Sequence, residues 1–337
     1  MTGTGQNGGS SGPNKSRLVY ILAASHSGST LLSMLLGSHP EICTVGELTL
    51  SGLHDLDTYR CSCLAPIREC PFWAGVTEEM LRRGFSFDIT RAGTDFRSGA
   101  TPYVRRLLRP LHRGALLEFV RDGALALSPT WRAGCPGVQA RIAALVDCLE
   151  VRSGKRVIVD SSKVALRLKY LLRNPQLEVR AIRLVRDGRG VALTYTDPAR
   201  FADAADPRLR GGGAGGNRES ERLSMAEAAF EWRRSNQEAE AVLQGVRASD
   251  WTQVRYEDLC REPEPVLEKL FRFVGVAPVK ALDSFRLLEQ HVIGNGMRLD
   301  SVREVRLDER WKSSLSADDL AVFDRVAGKM NRSLGYN

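Results

Sequence analysis

A run of small and hydroxylated residues, Ser25-His26-Ser27-Gly28-Ser29-Thr30, follows the apolar segment Leu18–Ala24 and precedes a second apolar stretch, Leu31–Leu36. Residues this small let neighbouring backbone N–H groups converge on one anion. A helix starting at Leu31 adds the partial positive charge of its N-terminus. The hydroxyls of Ser27, Ser29 and Thr30 supply further donors, so the segment reads as a cradle for a phosphate-like group, with Gly37 placed to end the helix. Two positions depart from the triphosphatase loop G-x-x-x-x-G-K-[ST]: Ala23 replaces its first glycine and Ser29 its lysine. That lysine reaches the β- and γ-phosphates, and its replacement counts against ATP or GTP hydrolysis. A strand-turn-helix with small residues only for packing is the plainer alternative.

A second strand-turn-helix pattern runs from Val179 to Thr194. It places Arg186 at the strand's C-terminal end and Thr194 about two turns into the next helix. Ligands of open parallel sheets bind beyond the carboxyl ends of the strands. Arg186 is therefore placed to fork onto a second phosphate, with Thr194 as an auxiliary donor. The alternative is a surface arginine paired with Asp187. The acidic strand end Val157-Ile-Val-Asp160 resembles a metal-holding position of nucleoside triphosphatases, which keeps a P-loop nucleotide-dependent kinase as a rival.

Five short segments rich in β-branched or aliphatic residues are the strands that position these groups: Leu18–Ala23, Ile42–Val45, Arg156–Val159, Val179–Val185 and Trp251–Arg255. Their apolar runs are continuous, which suits strands buried on both faces of a parallel sheet. The expected fold is α/β, a P-loop-like, mostly parallel central sheet flanked by helices and carrying a helical insertion. Residues 1–16 are expected to form a disordered tail and 17–337 a single domain. Within it, about 51–150 is the helical insertion on the acceptor side, with helices at Val104–Leu108, Leu116–Leu127 and Val138–Leu149. About 199–222 is a flexible Gly-rich loop. Later helices are expected at Val266–Val274 and Ala317–Met330.

The chain has 337 residues, 43% hydrophobic and 26% charged, with a net charge of +8. Such a balance suits an anionic partner without choosing among nucleic acid, acidic lipid and a polyanionic nucleotide. Its Arg clusters lack interleaved aromatics, which disfavours the second rival, a non-enzymatic basic module for nucleic acid or other polyanions. No segment reaches the roughly 18 apolar residues of a membrane span. With no apolar signal core near the N-terminus, a cytoplasmic protein without membrane partner is expected.

Together these segments resemble the PAPS-dependent sulfotransferases (PAPS is 3′-phosphoadenosine-5′-phosphosulfate), particularly their bacterial and tyrosylprotein-type branch. Ser25–Leu31 is similar to the family's 5′-phosphosulfate loop, and Arg186-Asp187-Gly188-Arg189 with Thr194 to its 3′-phosphate element. Val254–Leu259, Gly294–Arg298 and Asp308–Trp311 match in order. The resemblance implies transfer of a sulfuryl group from PAPS, with PAP (3′-phosphoadenosine-5′-phosphate) as product, to a small-molecule, glycan or peptide hydroxyl by in-line displacement, without a metal. It assigns the 5′-phosphosulfate to Ser27–Thr30, the 3′-phosphate to Arg186 and Thr194, and the adenosine side to Tyr256. Arg298 would close over the nucleotide. Glu47, in Val45-Gly-Glu-Leu-Thr49, matches the catalytic base, the plainer reading being a helix-capping acid. Lys163, in Val159-Asp-Ser-Ser-Lys163, would aim a fixed cation at the transferred group. His26 stands where relatives carry Lys or Arg, so its imidazolium would supply the loop's charge.

Seven cysteines and no signal sequence argue for reduced thiols. Cys61, Cys63 and Cys70 lie within ten residues, with His54 or Cys43 as a possible fourth metal ligand or with a disulfide between two of them. The spacing is not a strong zinc pattern, so free thiols packing the insertion are expected and no metal.

Overall fold

The computed structural model describes residues 15–50, 53, 56–111, 114–201, 204, 206–210, 222–280, 285, 290–300 and 304–337. Residues 1–14 of the expected tail and 211–221 of the expected Gly-rich loop lie outside them. Five parallel strands, β1 (Ser16–Ala23), β2 (Ile42–Thr44), β3 (Val157–Lys163), β4 (Leu177–Val185) and β5 (Trp251–Arg255), form one sheet in the order β2-β3-β1-β4-β5. Ser16, expected in the tail, instead opens β1. β1 is central: the chain leaves it toward β2 at one edge and later crosses from β3 to β4 on its other side. This reversal of direction opens a crevice beyond the carboxyl ends of β1, β3 and β4.

The helices are α1 (Ser29–Gly37), α2 (Pro71–Arg82), α3 (Pro102–Leu107), α4 (Ala115–Leu127), α5 (Pro129–Ser153), α6 (Ala165–Leu171) and α7 (Gly188–Thr196). After them come α8 (Pro198–Phe201), α9 (Met225–Leu243), α10 (Tyr256–Arg261), α11 (Pro263–Val274), α12 (Trp311–Ser314), α13 (Ala317–Phe323) and α14 (Lys329–Ser333). No helix among the described residues is long and apolar enough to cross a membrane.

Alternation along β1 explains its uninterrupted apolar run. Leu18, Tyr20 and Leu22 enter one core with residues of α2, α5 and α6, whereas Val19, Ile21 and Ala23 enter a second with α1, α10 and α11. Both faces of the sheet are covered, as a parallel sheet requires. The inserted segment is helical as expected, and its longest helix runs well past Val138–Leu149 at both ends. Gly37 does end α1, though not by a left-handed turn. The cap residue Ser38 is right-handed, and a Cβ at Gly37 would collide with the Thr44 side chain, so the glycine lets the helix end pack on β2.

Gly46 meets two constraints at once. Its φ is 85°, and a Cβ there would overlap the carbonyl oxygen of Ile293, with which it forms an isolated parallel bridge. Gly84 has a similar φ of 82° but open space where a Cβ would stand. Gly84→Ala is expected to cost about 1 kcal/mol for left-handed strain alone. Gly46→Ala is expected to cost several times more, because backbone must move as well. Chemical denaturation of the two variants checks this, and equal losses would show that the Gly46–Ile293 contact is not tight.

Candidate active site

Two left-handed residues, His26 at φ 62° and Gly28 at φ 91°, turn the chain from β1 into α1. The helix begins at Ser29, two residues earlier than expected, which brings the amides of Ser29 and Thr30 to its N-terminus. Its N-cap residue, Gly28, has no side chain to cap that end, and no acidic residue sits in the first turn. The first N–H groups of a helix have no partner within it, so this end is an uncapped positive pole. Gly28 has a second role besides its φ: a Cβ there would stand 2.5 Å from the Tyr256 ring. The Ser27 hydroxyl is buried without a hydrogen-bond partner among the described residues. His26 packs edge-on against Tyr195, ring centres 4.6 Å apart.

Arg186, only 7% exposed, directly follows β4 beside this loop. One of its terminal amines donates to the His26 carbonyl (2.9 Å). The other donates to the Asp308 carboxylate (2.9 Å) and carbonyl (3.0 Å). Its guanidinium lies 4.5 Å from the centre of the Tyr256 ring. The ion-pair partner is thus Asp308, 122 residues away, rather than the adjacent Asp187, which holds Arg189. Burial pushes the Asp308 carboxyl up, but Arg310 and Arg186 outweigh it and hold the group well below the usual carboxylate range. The Tyr256 hydroxyl accepts from the Asp308 amide (3.2 Å), which ties the late loop to the strand ends. Thr194 lines the same cleft and donates to the Gly190 carbonyl at 3.1 Å.

Glu47 and Lys163 meet across the cleft as an ion pair. The pairing of β1 with β3 slips between Tyr20↔Asp160 and Leu22↔Lys163, and Lys163 itself has φ 70°. This irregularity falls at the end of β3, where Lys163 meets Glu47. The turn carrying Glu47 is held by β3: the Leu48 amide donates to Asp160 (3.1 Å) and the Thr49 amide to the Ser162 hydroxyl (3.1 Å). Asp160 is 0% exposed and also accepts from Arg167 at 3.0 Å. A carboxylate sealed and paired in this way is unsuited to holding a catalytic metal, which removes the main support for a kinase.

One cleft of about 1080 Å³ gathers Ser25, His26, Gly28, Ser29 and Thr30 with Glu47, Lys163, Arg186, Thr194 and Tyr256. Ser27 lies behind its wall. Arg298 is not brought into it: the side chain is buried, donating to the carbonyls of Val292 (2.9 Å), Gly294 (2.6 Å), Asn295 (3.0 Å) and Arg60. It pins the 292–295 segment, whose Asn295 reaches the cleft in its place. Sequence reasoning missed Asp308, although Asp308–Trp311 was marked as a motif, because nothing local announces its distant partner. Trp311 of that motif is half-buried, with the Arg189 guanidinium 4.1 Å from its ring centre. The other walls of the cleft mix polar side chains, among them Arg97, Glu231, Arg234, Ser235 and Glu238, with apolar ones such as Pro110, Phe201 and Met297. Burial raises the Glu238 carboxyl, partly offset by Arg234.

No protein-family profile matches the chain. Among curated proteins it is 24% identical over 200 residues to carbohydrate sulfotransferase 2 of Homo sapiens, and 28% identical over 184 residues to carbohydrate sulfotransferase 1 of Mus musculus. Each match covers 50% of this chain, but only 37% and 41% of the relatives, so the chain spans about two fifths of their length. Among solved structures it is similar to the sulfotransferase domain of the Synechococcus PCC 7002 olefin synthase (20% identity, TM-score 0.46, 96% of both chains). It is also similar to sulfotransferase STF9 of Mycobacterium avium (12%, TM-score 0.49, 96% of this chain and 78% of that one). The sequence similarities to curated relatives support a sulfotransferase family for this chain.

Proposed function

We propose that the chain transfers a sulfuryl group from PAPS to a hydroxyl of a carbohydrate acceptor. The observation that carries this reading is the convergence in one cleft of an uncapped helix N-terminus, a buried arginine and a Glu–Lys pair, without an NTPase-type lysine in the loop. The donor's 5′-phosphosulfate would lie on the loop amides of Ser27–Thr30 and the hydroxyls of Ser29 and Thr30, its 3′-phosphate on Arg186 with Thr194, and its adenosine beside Tyr256. The names of both curated relatives direct the acceptor toward a saccharide, and the polar side chains of Arg97, Arg234 and Ser235 in the cleft suit its hydroxyl groups. We read residues 17–337 as one domain.

In this reading the Glu47–Lys163 pair is the resting arrangement. When the donor enters, its anionic groups compete for Lys163, and Glu47 is released to take the acceptor's proton. The acceptor oxygen forms its bond to sulfur as the bond from sulfur to the 5′-phosphate oxygen breaks. PAP leaves with that electron pair, and the proton ends on Glu47. Lys163, His26 and the loop amides stabilise the charge gathering on the leaving phosphate.

Incubation with PAPS carrying labelled sulfate and a panel of saccharides tests the reaction. Label is expected in a saccharide, and Glu47→Gln is expected to lower that transfer by about two to four orders of magnitude with PAP affinity nearly unchanged. A Glu47→Gln enzyme of normal turnover removes the residue from the chemistry.

Arg186→Ala is expected to weaken PAP binding by about 2–4 kcal/mol while hardly changing binding of a nucleotide that lacks the 3′-phosphate. Titration calorimetry with both ligands decides. Because Arg186 also braces the His26 carbonyl and Asp308, equal losses would assign it a structural part only.

His26 generates a pH prediction. An imidazole has an unperturbed pKa of about 6.5, and a neighbouring phosphosulfate favours its charged form and raises that value. The positive charge is then present below the raised pKa and lost above it. Turnover should decline on the alkaline side, and His26→Arg should flatten that limb while retaining activity. Superimposable alkaline limbs would show that His26 is not the titrating cation.

A further inference from the structure

We propose that Cys61, Cys63, Cys70 and His291 form a closed, four-ligand structural zinc site, separate from the cleft. Their ligand atoms all lie within 4.8 Å of one another. The His291 Nδ1 is 3.4 Å from the Cys70 sulfur and 3.7 Å from that of Cys61, and the Cys63 and Cys70 sulfurs are 3.7 Å apart. Zinc bonds of about 2.3 Å to sulfur and 2.0–2.1 Å to nitrogen give a tetrahedron whose edges are roughly 3.5–3.8 Å. Those three distances are already close to the edges of such a tetrahedron, and with all four ligand atoms within 4.8 Å of one another only a small adjustment would close the set around a metal.

The backbone around the four residues is organised for this arrangement. Arg60 bridges Pro66 in antiparallel fashion, the Cys61 amide donates to Ala65 (2.9 Å) and the Leu64 amide returns to Cys61 (2.9 Å). Leu64 takes a left-handed φ of 69°, a conformation costly for a branched residue, and this turns the chain tightly just after Cys63. Cys70 immediately precedes α2, whose N-terminal partial charge favours a thiolate. The His291 ring is stacked on Phe72, 4.4 Å between centres and 7° between planes, which fixes its orientation. Ser62 grips the segment on both sides of His291: its hydroxyl donates to the Gln290 carbonyl and accepts from the Val292 amide at 2.8 Å. Neither fourth ligand considered from sequence belongs to this cluster. Cys43 lies in β2 beside Ile158, and His54 falls outside the described residues.

Four protein ligands leave no open position, so the metal would cross-link the chain rather than catalyse. What it would hold is specific. His291 is two residues from Ile293, whose amide donates to the Val45 carbonyl (2.9 Å) beside the Gly46 bridge, next to Glu47. Tyr59 accepts from the Gly294 amide at 2.7 Å on the other flank. The metal therefore ties the 59–70 loop to the strap that positions the Glu47 turn. On binding, the three thiols release their protons to solvent, and Zn²⁺ with three thiolates and a neutral imidazole carries a net single negative charge.

The test is metal analysis of the full chain purified without chelator, with cobalt substitution and counting of thiols after unfolding. One equivalent of zinc per chain is expected, together with a thiolate-to-cobalt charge-transfer band and the visible bands of tetrahedral Co²⁺. All seven cysteines should titrate as thiols once the metal is chelated. Cys63→Ser and His291→Ala should each weaken zinc binding by more than about 100-fold, since even partners of metal ligands account for 10–100-fold. Cys135→Ser, outside the cluster, should keep the metal. Folded protein with less than a tenth of an equivalent that takes up neither zinc nor cobalt overturns the proposal. So do five titratable thiols in place of seven, stoichiometric iron, or full zinc retention in both ligand variants.

Discussion

The buried carboxylate of Asp160 is the constraint on which the site depends. A carboxylate moved out of water without partners costs several kcal/mol, so its surroundings must be arranged around it. Here it accepts from the Leu48 amide, the Ser162 amide at 2.9 Å and the Arg167 guanidinium at 3.0 Å. Arg167 donates in turn to the Thr94 carbonyl (2.6 Å), and the Thr94 hydroxyl to the Leu48 carbonyl (2.6 Å). One charge thereby joins the end of β3, the Glu47 turn, α6 and the helical insertion. Burial, and then the Asp160 charge, push the neighbouring Tyr20 phenol well above its ordinary value, so it stays neutral and donates to the Val164 carbonyl at 2.9 Å.

The same logic of long-range ties recurs at the other end of the cleft. Arg186 spans from the loop after β1 to Asp308, with Tyr256 beneath it, so the loop, β4 and the late segment are set by one guanidinium. Arg298 does the corresponding work out of sight, donating to four carbonyls of irregular backbone in the 60 and 292–295 segments. A buried arginine at such a position stabilises the wall of a site without touching what the site binds.

These relations mark what the sequence could reveal. Continuous apolar runs announced five strands, of which the edge strand β5 is only partly buried, and strand ends located Glu47 and Arg186, while the family resemblance added Lys163. Short-range pattern carries that much because side-chain direction alternates with period two along a strand. It carries no record of partners 122 residues apart, such as Arg186 and Asp308, or 221 apart, such as Cys70 and His291. The role expected for Arg298 failed on the same ground: a motif gave its neighbourhood, while burial and carbonyl acceptors decided which way its side chain went.

Thermal unfolding in the presence of nucleotides tests the central claim, that the cleft is built for a 3′-phosphorylated adenosine donor. A ligand at a hundred times its dissociation constant stabilises the folded chain by about 2.7 kcal/mol, a rise of a few degrees in Tm for a chain of this size. PAP is expected to give such a rise without magnesium, and ADP a distinctly smaller one. Stabilisation by magnesium-ATP with none by PAP would contradict the account.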